Sequence, residues 1–263
     1  MSAPSPTDFD RALASLDTRL FDRIESQTST NDRRSLLACQ LAARTQRAPY
    51  VYLEIGSHMG GSLQPHVLDP QCQRMYSIDK RPPAQPDERG LPYAYSNNST
   101  GRMLGALGAM SPDGITRLTC IDADASQVDP RAIDSRPHLC FIDGEHTDAA
   151  VVSDFAFCRR VLARDGAIVF HDAAVIYHGL GEIVQTLERE SVTFRAYHLP
   201  DTIFVIEFDG CRFHETPAIA AMLLNNHVGY LASLRANDRF RQFANKPVFR
   251  WLRRLRFAMT RRG

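Results

Sequence analysis

The chain has 263 residues, 44% of them hydrophobic, and a formal net charge of +1. This length and apolar content predict one α/β-sized domain with additions, and the near-neutral charge gives no electrostatic reason to expect nucleic-acid binding. The six cysteines contain no C-x-x-C pair, so neither a zinc cluster nor thioredoxin-type redox chemistry is predicted.

The start of the chain, MSAPSPTDFD, is polar and contains prolines, unlike a secretory signal peptide. The apolar runs are far shorter than the ~20 residues of a membrane-spanning helix. This cysteine usage suits a reducing compartment. A cytoplasmic location is therefore predicted.

A helical region precedes a regular alternation of strands and helices. Residues 7–45 are predicted to form two helices, with Ser and Asn as caps in STNDRRSLLACQLAAR. Several of the strand-like runs that follow are apolar throughout, typical of strands covered on both faces. The alternation predicts a parallel sheet with right-handed crossovers. The predicted strands are 50–55, 74–79, 115–122, 138–143 and 167–172, with helices notably at 99–109 and 148–163.

The sheet is predicted to end in an antiparallel hairpin. After a helix at 181–190, only Pro200 and Asp201 separate two strand-like segments, 193–199 and 202–208. Such a hairpin departs from a plain dinucleotide-binding fold. The chain is divided into an N-terminal helical segment (1–47), a cofactor-binding domain (48–210) and a helical C-terminal extension (211–263).

Three glycines follow the first predicted strand in YVYLEIGSHMGGSL (50–63). Ligands of open α/β sheets bind beyond the carboxyl ends of the strands, and glycine permits positive φ and close backbone approach. The next helix N-terminus offers N–H groups to an anion. A tight turn without any ligand explains Gly56, Gly60 and Gly61 equally well.

The neighbours of this turn indicate what it would bind. The spacing G-x-x-x-G-G is neither the pyrophosphate-binding G-x-G-x-x-G nor the P-loop. Asp79 ends the second predicted strand, where an acid can accept hydrogen bonds from both ribose hydroxyls. Glu54 would repel a pyrophosphate and attract a cation. A nucleoside that carries a sulfonium and an ammonium fits these features better than NAD does.

These motifs resemble those of class I S-adenosylmethionine-dependent methyltransferases. YLEIGSHMGGS and YSID resemble their first two motifs, and CIDADASQVDP, FIDGEHTDAAVVSDF and GAIVFHDAAV resemble segments of the catechol O-methyltransferase-like branch. The last three are still more similar to bacterial small-molecule and glycan O-methyltransferases. The resemblance covers about residues 48–210. It implies a Rossmann-like seven-stranded methyltransferase sheet with a terminal antiparallel hairpin and helical additions at both ends.

The resemblance also implies the cofactor contacts, which fall in four segments. For two of the residues, Ser126 and Gln127, the alternative is a helix cap and its solvated neighbour. The implied contacts are Glu54, Gly56, Ser57 and Gly60 with the methionine portion, Asp79 with the ribose, Ala125, Ser126 and Gln127 with the adenine, and Asp143 at a further strand end.

Asp143, His171 and Asp172 end two adjacent predicted strands and are expected to converge. In catechol O-methyltransferases the residues at these positions hold a metal through oxygen ligands suited to magnesium, and the metal lowers the pKa of the acceptor hydroxyl. His171 stands where the relatives carry an Asp, which favours Mn, Fe or Zn. Alternatively no metal binds and His171 is a base, or the two acids cap the next helices.

His146 lies where the resemblance places a general base. Histidine titrates near neutrality and can take a hydroxyl proton, although a lone histidine here could equally be a cap or a solvated side chain. Glu145 is a weaker candidate, as ligand or outer partner. The proline-rich loop at 81–101 is predicted to overhang the cofactor edge as a lid.

The end of the chain, NKPVFRWLRRLRFAMTRRG, is predicted to form a basic amphipathic helix. Trp and Leu on one side with Arg on the rest are typical of an interfacial membrane anchor. The alternative is a helix docked on its own domain or on a partner in a homo-oligomer. Nucleic-acid binding is not expected, because no basic domain backs the patch.

The resulting hypothesis is an S-adenosylmethionine-dependent O-methyltransferase. It would act on a hydroxyl of a small molecule or glycan by in-line displacement, with Asp143 and His146 as catalytic residues and a divalent metal (Mg, Mn or another) as an assisting ion. The alternatives are a non-methylating relative and a non-catalytic partner subunit that binds the cofactor.

Overall fold

The computed structural model of the chain describes residues 6–90, 92–95, 98–224, 226, 238, 246–249 and 251–252. Its strands, in chain order, are β1 (Tyr50–Ile55), β2 (Cys72–Ile78), β3 (Ala84–Gln85), β4 (Tyr93–Ala94), β5 (Leu118–Ile121), β6 (Leu139–Ile142), β7 (Ala167–Phe170), β8 (Phe194–His198) and β9 (Phe204–Phe208). Seven of them form the central sheet in the order β5-β2-β1-β6-β7-β9-β8, and β3 pairs with β4 separately.

The first five strands of the central sheet are parallel, whereas β9 runs antiparallel to both β7 and β8. Every residue of β1, β6 and β7 is buried, as expected of strands covered on both faces. The predicted seven-stranded methyltransferase-type sheet with a terminal antiparallel hairpin is confirmed.

Helices cover both faces of the sheet. The second helix in the chain begins at a capping box. The Ser29 side chain accepts a hydrogen bond from the Asp32 N–H, and the Asp32 carboxylate accepts one from the Ser29 N–H. The helices are α1 (Pro6–Ala14), α2 (Thr30–Gln46), α3 (Gln64–Leu68), α4 (Thr100–Met110), α5 (Pro112–Ile115), α6 (Asp148–Val161), α7 (Tyr177–Arg189) and α8 (Pro217–Leu224).

The strand predicted at 115–122 is wrong at its start. Pro112 stands in the first turn of α5, and the Ser111 side chain accepts from the Gly114 N–H. Proline in the first turn and a serine cap favour a helix, so Ile115 ends α5 and the strand begins only at Leu118.

The side chains of β1 alternate between two core layers. Val51, Leu53 and Ile55 belong to the layer that includes α6 and α7. Tyr50 and Tyr52 belong to the opposite layer, which includes α2 and α4. This alternation follows from the period of two in a strand, and it leaves the carboxyl ends of the parallel strands free to carry a site.

The predicted tail helix lies mostly outside the described residues, within which 247–249 and 251–252 are helical. In the part of the chain that the structure describes, no helix combines the length and apolarity needed to cross a bilayer.

Candidate functional site

The glycine turn, residues 56–61, connects β1 to the segment that leads into α3. Gly56 has φ +92°, and a Cβ on it would lie 2.2 Å from the carbonyl oxygen of Asp143. Gly60 has φ +84°, where a side chain is strained. A Cβ on Gly61 would lie 2.6 Å from the Glu25 carbonyl oxygen. Positive φ or close backbone contact therefore requires glycine at all three positions. Gly56 also brings the turn into contact with the residue that follows β6, Asp143.

Glu54 lies at the base of this turn with its side chain fully buried. Its two carboxylate oxygens accept hydrogen bonds from the Tyr52 hydroxyl at 2.6 Å and the Ser62 hydroxyl at 2.7 Å. Burial raises the pKa of Glu54 to about 8, and these two hydrogen bonds oppose that rise only in part. A buried carboxyl that holds its proton near neutrality ionises readily when a cation binds beside it.

Asp79 fastens the turn to the end of β2. Its Oδ2 accepts the His58 N–H and its Oδ1 accepts the Arg81 N–H, both at 2.8 Å. The carboxylate is 5% exposed. Each carboxylate oxygen has a second lone pair, so the residue keeps the capacity to accept from a bound diol.

Arg81 is a part of this edge that sequence reasoning missed. Its guanidinium donates to the His58 carbonyl and to the Asn98 side chain and lies 3.4 Å from Asp79 and 3.6 Å from Asp122. The available signal was its position directly after the acid that ends β2. Arg81 thus cross-links the glycine turn to the neighbouring strand ends.

The remaining predicted cofactor residues differ in their exposure. Ser57 is buried, with its hydroxyl 2.5 Å from that of Ser77. Ala125 is buried, whereas Ser126 and Gln127 are exposed in a short 3-10 helix. The cap of that helix is Asp124, which accepts from the Ser126 N–H at 3.0 Å and its hydroxyl at 2.6 Å.

A strand-end cluster of Asp143, His146, His171 and Asp172 forms where β6 and β7 end, as the sequence predicts. Asp143 Oδ1 lies 3.0 Å from His171 Nδ1 and 3.6 Å from His146 Nε2. Asp172 Oδ2 lies 3.3 Å from His146 Nδ1 and 3.8 Å from His171 Nδ1. The separation of these atoms is suitable for proton transfer or for sharing one cation.

Two further carboxylates surround the cluster, and sequence reasoning found neither. Asp87 Oδ2, on the overhanging loop, lies 3.3 Å from His146 Nδ1, and Asp32 Oδ2, on α2, lies 3.5 Å from His171 Nε2. Arg89 binds the Asp87 carboxylate through Nε and Nη2. The loop is held in place by the Glu88 N–H, which donates to the His146 carbonyl at 3.0 Å.

The carboxylates set the charge of both histidines. Burial alone would lower the pKa of His146, but hydrogen bonds to Asp143 and Asp87 outweigh burial and raise the pKa to about 9. For His171 burial is likewise outweighed, by Asp143 and Asp172, so its pKa lies well above the usual range. The pKa of Asp143 lies well below its usual range despite burial, because both histidines face it. The cluster is therefore an arrangement of alternating charges.

Glu145 does not enter this cluster. Its Oε2 lies 2.6 Å from Lys80 Nζ, and its Oε1 accepts from the Thr147 hydroxyl at 2.9 Å. Both oxygens are thus engaged beside the cluster. Asp148, the first residue of α6, contacts the first turn of α7, where its Oδ1 accepts the Gly179 N–H at 2.7 Å.

Comparison with known proteins finds a matching family model and solved structures of similar fold. Residues 53–173 match the family described as "Methyltransferase domain". A solved calicheamicin methyltransferase has a TM-score of 0.50 and 16% identity, over 78% of this chain and 93% of that one. An O-methyltransferase of tomaymycin synthesis from Streptomyces achromogenes, solved with S-adenosylmethionine, has a TM-score of 0.48 and 16% identity, over 76% and 91%. No curated protein matches the chain.

Proposed function

We propose that this chain is an S-adenosylmethionine-dependent methyltransferase that transfers the methyl group to a hydroxyl of a small molecule or glycan. The match of residues 53–173 to the methyltransferase-domain family supports the proposal. The observation that carries the proposal is one sheet edge that holds both a glycine turn with acids and the strand-end cluster of histidines and carboxylates. The backbones of Gly56 and Asp143 are in contact, so the glycine turn and the strand-end cluster are adjacent halves of one site.

The first half fits the cofactor. In the proposed arrangement the turn of Gly56, Ser57 and Gly60 faces the methionine portion, and Glu54 balances its positive charge. Asp79 accepts from the ribose hydroxyls, and the segment 125–127 flanks the adenine. The cofactor supplies a methyl group on a sulfonium, which is electrophilic.

The second half fits a hydroxyl acceptor. His146 Nε2 points toward Asp143, and the ring's other nitrogen lies 3.3 Å from both Asp87 and Asp172. His146 takes the hydroxyl proton when its ring is neutral, a form whose share grows as the pH rises toward its pKa of about 9, and the carboxylates stabilise the resulting imidazolium. The overhanging loop restricts access of water. Positioning of the oxygen in line with the sulfonium supplies much of the rate.

The proposal is tested by calorimetric titration with S-adenosylmethionine, followed by measurement of S-adenosylhomocysteine formed with catechols, polyketide-type phenols and nucleotide sugars. We expect binding of one cofactor per chain and transfer to at least one hydroxyl class. A protein that binds no cofactor, or that methylates only amines, would contradict the proposal.

Glu54 is expected to release a proton when the cofactor binds. With a pKa of about 8, most Glu54 carboxyls are protonated at about pH 7, and a neighbouring cation favours the ionised form. Affinity should therefore rise with pH up to about 8 and level off above it. Calorimetry in phosphate and Tris buffers should show release of up to about one proton per chain.

Glu54→Gln should bind the cofactor more weakly and release no proton. The matched control is Glu182→Gln, an exposed position on α7, which should behave as the unaltered protein does. Identical proton release by Glu54→Gln and the unaltered protein would remove Glu54 from the cofactor site.

The tail supports a further proposal, contact with an anionic membrane surface. Residues 239–263 contain nine lysines and arginines and no acid. Within the described residues of this stretch, Val248, Trp251 and Leu252 are 62%, 61% and 46% exposed, and their spacing places them on one face of a helix. Apolar side chains interspersed with arginines suit the interface of an anionic leaflet.

Deleting residues 247–263 is therefore expected to abolish co-sedimentation with phosphatidylglycerol vesicles, which the full chain should show. Each arginine near an anionic surface contributes about 1 kcal/mol, so the loss should be nearly complete at moderate salt. Phosphatidylcholine vesicles are the control and should sediment neither protein. Equal sedimentation of both proteins with anionic vesicles would favour docking of the tail on the protein itself.

A further inference from the structure

We infer that the basic tail and one edge of the central sheet together form a single face that binds an anionic membrane surface. The edge, which we name the site edge, is where β1, β2, β6 and β7 end and where the glycine turn and the strand-end cluster lie. The inference deepens the proposed function. It rests on the membrane contact proposed there for the tail, and it adds which side of the protein faces the lipid.

The chain returns to the site edge before the tail begins. Helix α8 packs against α2, with Met222 Sδ 3.8 Å from Ser35 Oγ. Two residues past α8, the Asn226 side chain donates to the carbonyl of His198, the last residue of β8. Because β9 is antiparallel to both β7 and β8, the carboxyl ends of β7 and β8 lie at the same edge. Asn226 therefore lies at the site edge, and the tail follows it in the chain.

Exposed large hydrophobic side chains have a restricted distribution in the part of the chain that the structure describes. Three of them, Val248, Trp251 and Leu252, belong to the tail, and the other two are Tyr93 (42% exposed) and Leu224 (82% exposed). A single exposed hydrophobic residue is normal in a folded protein. Shared location is what would make such residues an interaction face, so the positions of Tyr93 and Leu224 decide the question.

Tyr93 and Leu224 both lie at the site edge. Tyr93 belongs to the β3–β4 hairpin of the overhanging loop, and its ring centroid is 5.0 Å from that of Tyr95. The Tyr95 ring packs in turn against His58 of the glycine turn, with 5.1 Å between centroids. Leu224 is the last residue of α8, two positions before the contact of Asn226 with β8. The exposed apolar side chains of the folded body are thus on the edge that the chain leaves toward the tail.

The opposite edge of the sheet has a different character. A cleft there is lined by charged and small residues, and its two arginines face acids. Arg47 lies 2.8 Å from Asp165, and Arg164 lies 3.2 Å from Asp209. Within the described residues, this edge offers no exposed large hydrophobic side chain. Insertion into a bilayer interface needs apolar side chains together with cations that are available to lipid headgroups, so the opposite edge fits the side that faces water.

The charge of the C-terminal extension identifies the partner as an anionic lipid surface. Between residues 217 and 263 Asp238 is the only acid, whereas 239–263 contain nine lysines and arginines. Cations near an anionic leaflet are attracted to it, and interspersed apolar side chains enter the interface. A second copy of the chain fits this face less well, because its tail carries the same excess of positive charge and would repel the first.

The test measures which edge of the vesicle-bound full chain lies near lipid. Gln27 is exposed and follows Ser26, whose Cα would lie 2.8 Å from a Cβ on Gly61 of the glycine turn. Thr193 is exposed in the cleft of the opposite edge. The variants Gln27→Cys and Thr193→Cys are labelled with bimane and mixed with vesicles of brominated phosphatidylglycerol. The unaltered protein, whose six cysteines are buried or half-buried, gives the background labelling.

Quenching should be at least about threefold stronger at position 27 than at position 193, since an interfacial face enters only about 5–10 Å into the headgroup boundary. Leu224→Ser should weaken binding to phosphatidylglycerol vesicles about fivefold, through loss of one inserted leucine. Its thermal melting should be unchanged, because the position is exposed. Thr193→Ser, on the opposite edge, is the matched control and should bind vesicles as the unaltered protein does.

Equal or stronger quenching at position 193, no quenching at either position, or unchanged vesicle affinity of Leu224→Ser would overturn the inference. So would shielding of the label at position 27 by dimerisation without vesicles, which would assign this face to a second copy. The labelled proteins are also titrated with S-adenosylmethionine. Cofactor binding with quenching at position 193 removes the inference alone, whereas absence of cofactor binding with quenching at position 27 removes the proposed methyl transfer alone.

Discussion

Replacing Gly56 by alanine is expected to remove measurable cofactor binding and to destabilise the protein by at least about 2 kcal/mol. The residue has φ +92°, and its new Cβ would lie 2.2 Å from the Asp143 carbonyl oxygen and 2.5 Å from Gly144 Cα. Both obstacles are backbone atoms, so no side chain can rotate away. Thermal melting should fall by roughly 4–8 °C.

The loss should affect both halves of the site, because relief of the clash moves the end of β6. Asp143 would then lose its position opposite the two histidines. The control is Gly101→Ala in α4, where a Cβ would meet no atom within 4 Å. That variant should bind cofactor normally and gain up to about 1 kcal/mol of stability. A Gly56→Ala protein with unaltered melting and cofactor affinity would show that the turn is not rigid.

The parts of the fold that could be predicted have a local physical cause. The first strand was predicted with the bounds that the structure shows, Tyr50–Ile55, because an apolar run stops at Gly56, which cannot continue the strand at φ +92°. The terminal hairpin could be predicted because Pro200 and Asp201 leave no room for a crossover between two apolar runs. Convergence of Asp143 and His171 followed from adjacent parallel strands, whose ends share one edge.

The parts that could not be predicted depend on packing between distant segments. Asp32 lies on a helix far from β7 in sequence, and it also takes part in the capping box of that helix. Asp87 lies in a loop that contacts residues distant in sequence, for example through the hydrogen bond from the Glu88 N–H to the His146 carbonyl. Neither spacing nor composition reports such contacts, so these two carboxylates could be identified only from the structure.

The partners of the charged residues after β2 could not be predicted from the sequence either. Lys80 and Arg81 follow β2, and nothing in the local sequence assigns them a partner. In the structure Lys80 engages Glu145, and Arg81 joins the glycine turn to Asp79. A long cationic side chain has many partners within reach, and local sequence does not select among them. Glu145 therefore belongs beside the cluster, a position that the sequence could not distinguish from ligation.

Replacing Asp79 by asparagine is expected to weaken S-adenosylmethionine binding by about 100-fold. Hydrogen bonds to a charged group contribute about 1.5–3 kcal/mol each, and loss of the better part of two such bonds corresponds to that factor. Calorimetry provides the measurement. Asp113→Asn, an exposed position on α5, should leave the affinity unchanged.

Asp79 also has a structural role, and the ligand can be altered to separate the two. The carboxylate accepts the N–H groups of His58 and Arg81, so asparagine loosens the turn as well as losing ribose contacts. A 2′-deoxy analogue of S-adenosylhomocysteine lacks one ribose hydroxyl but leaves the turn intact. If Asp79 grips the ribose, the deoxy analogue should bind the unaltered protein at least tenfold more weakly than its parent, and Asp79→Asn should hardly distinguish the two. An equal loss in both proteins would assign Asp79 to the turn alone, since the missing hydroxyl would then have had another partner.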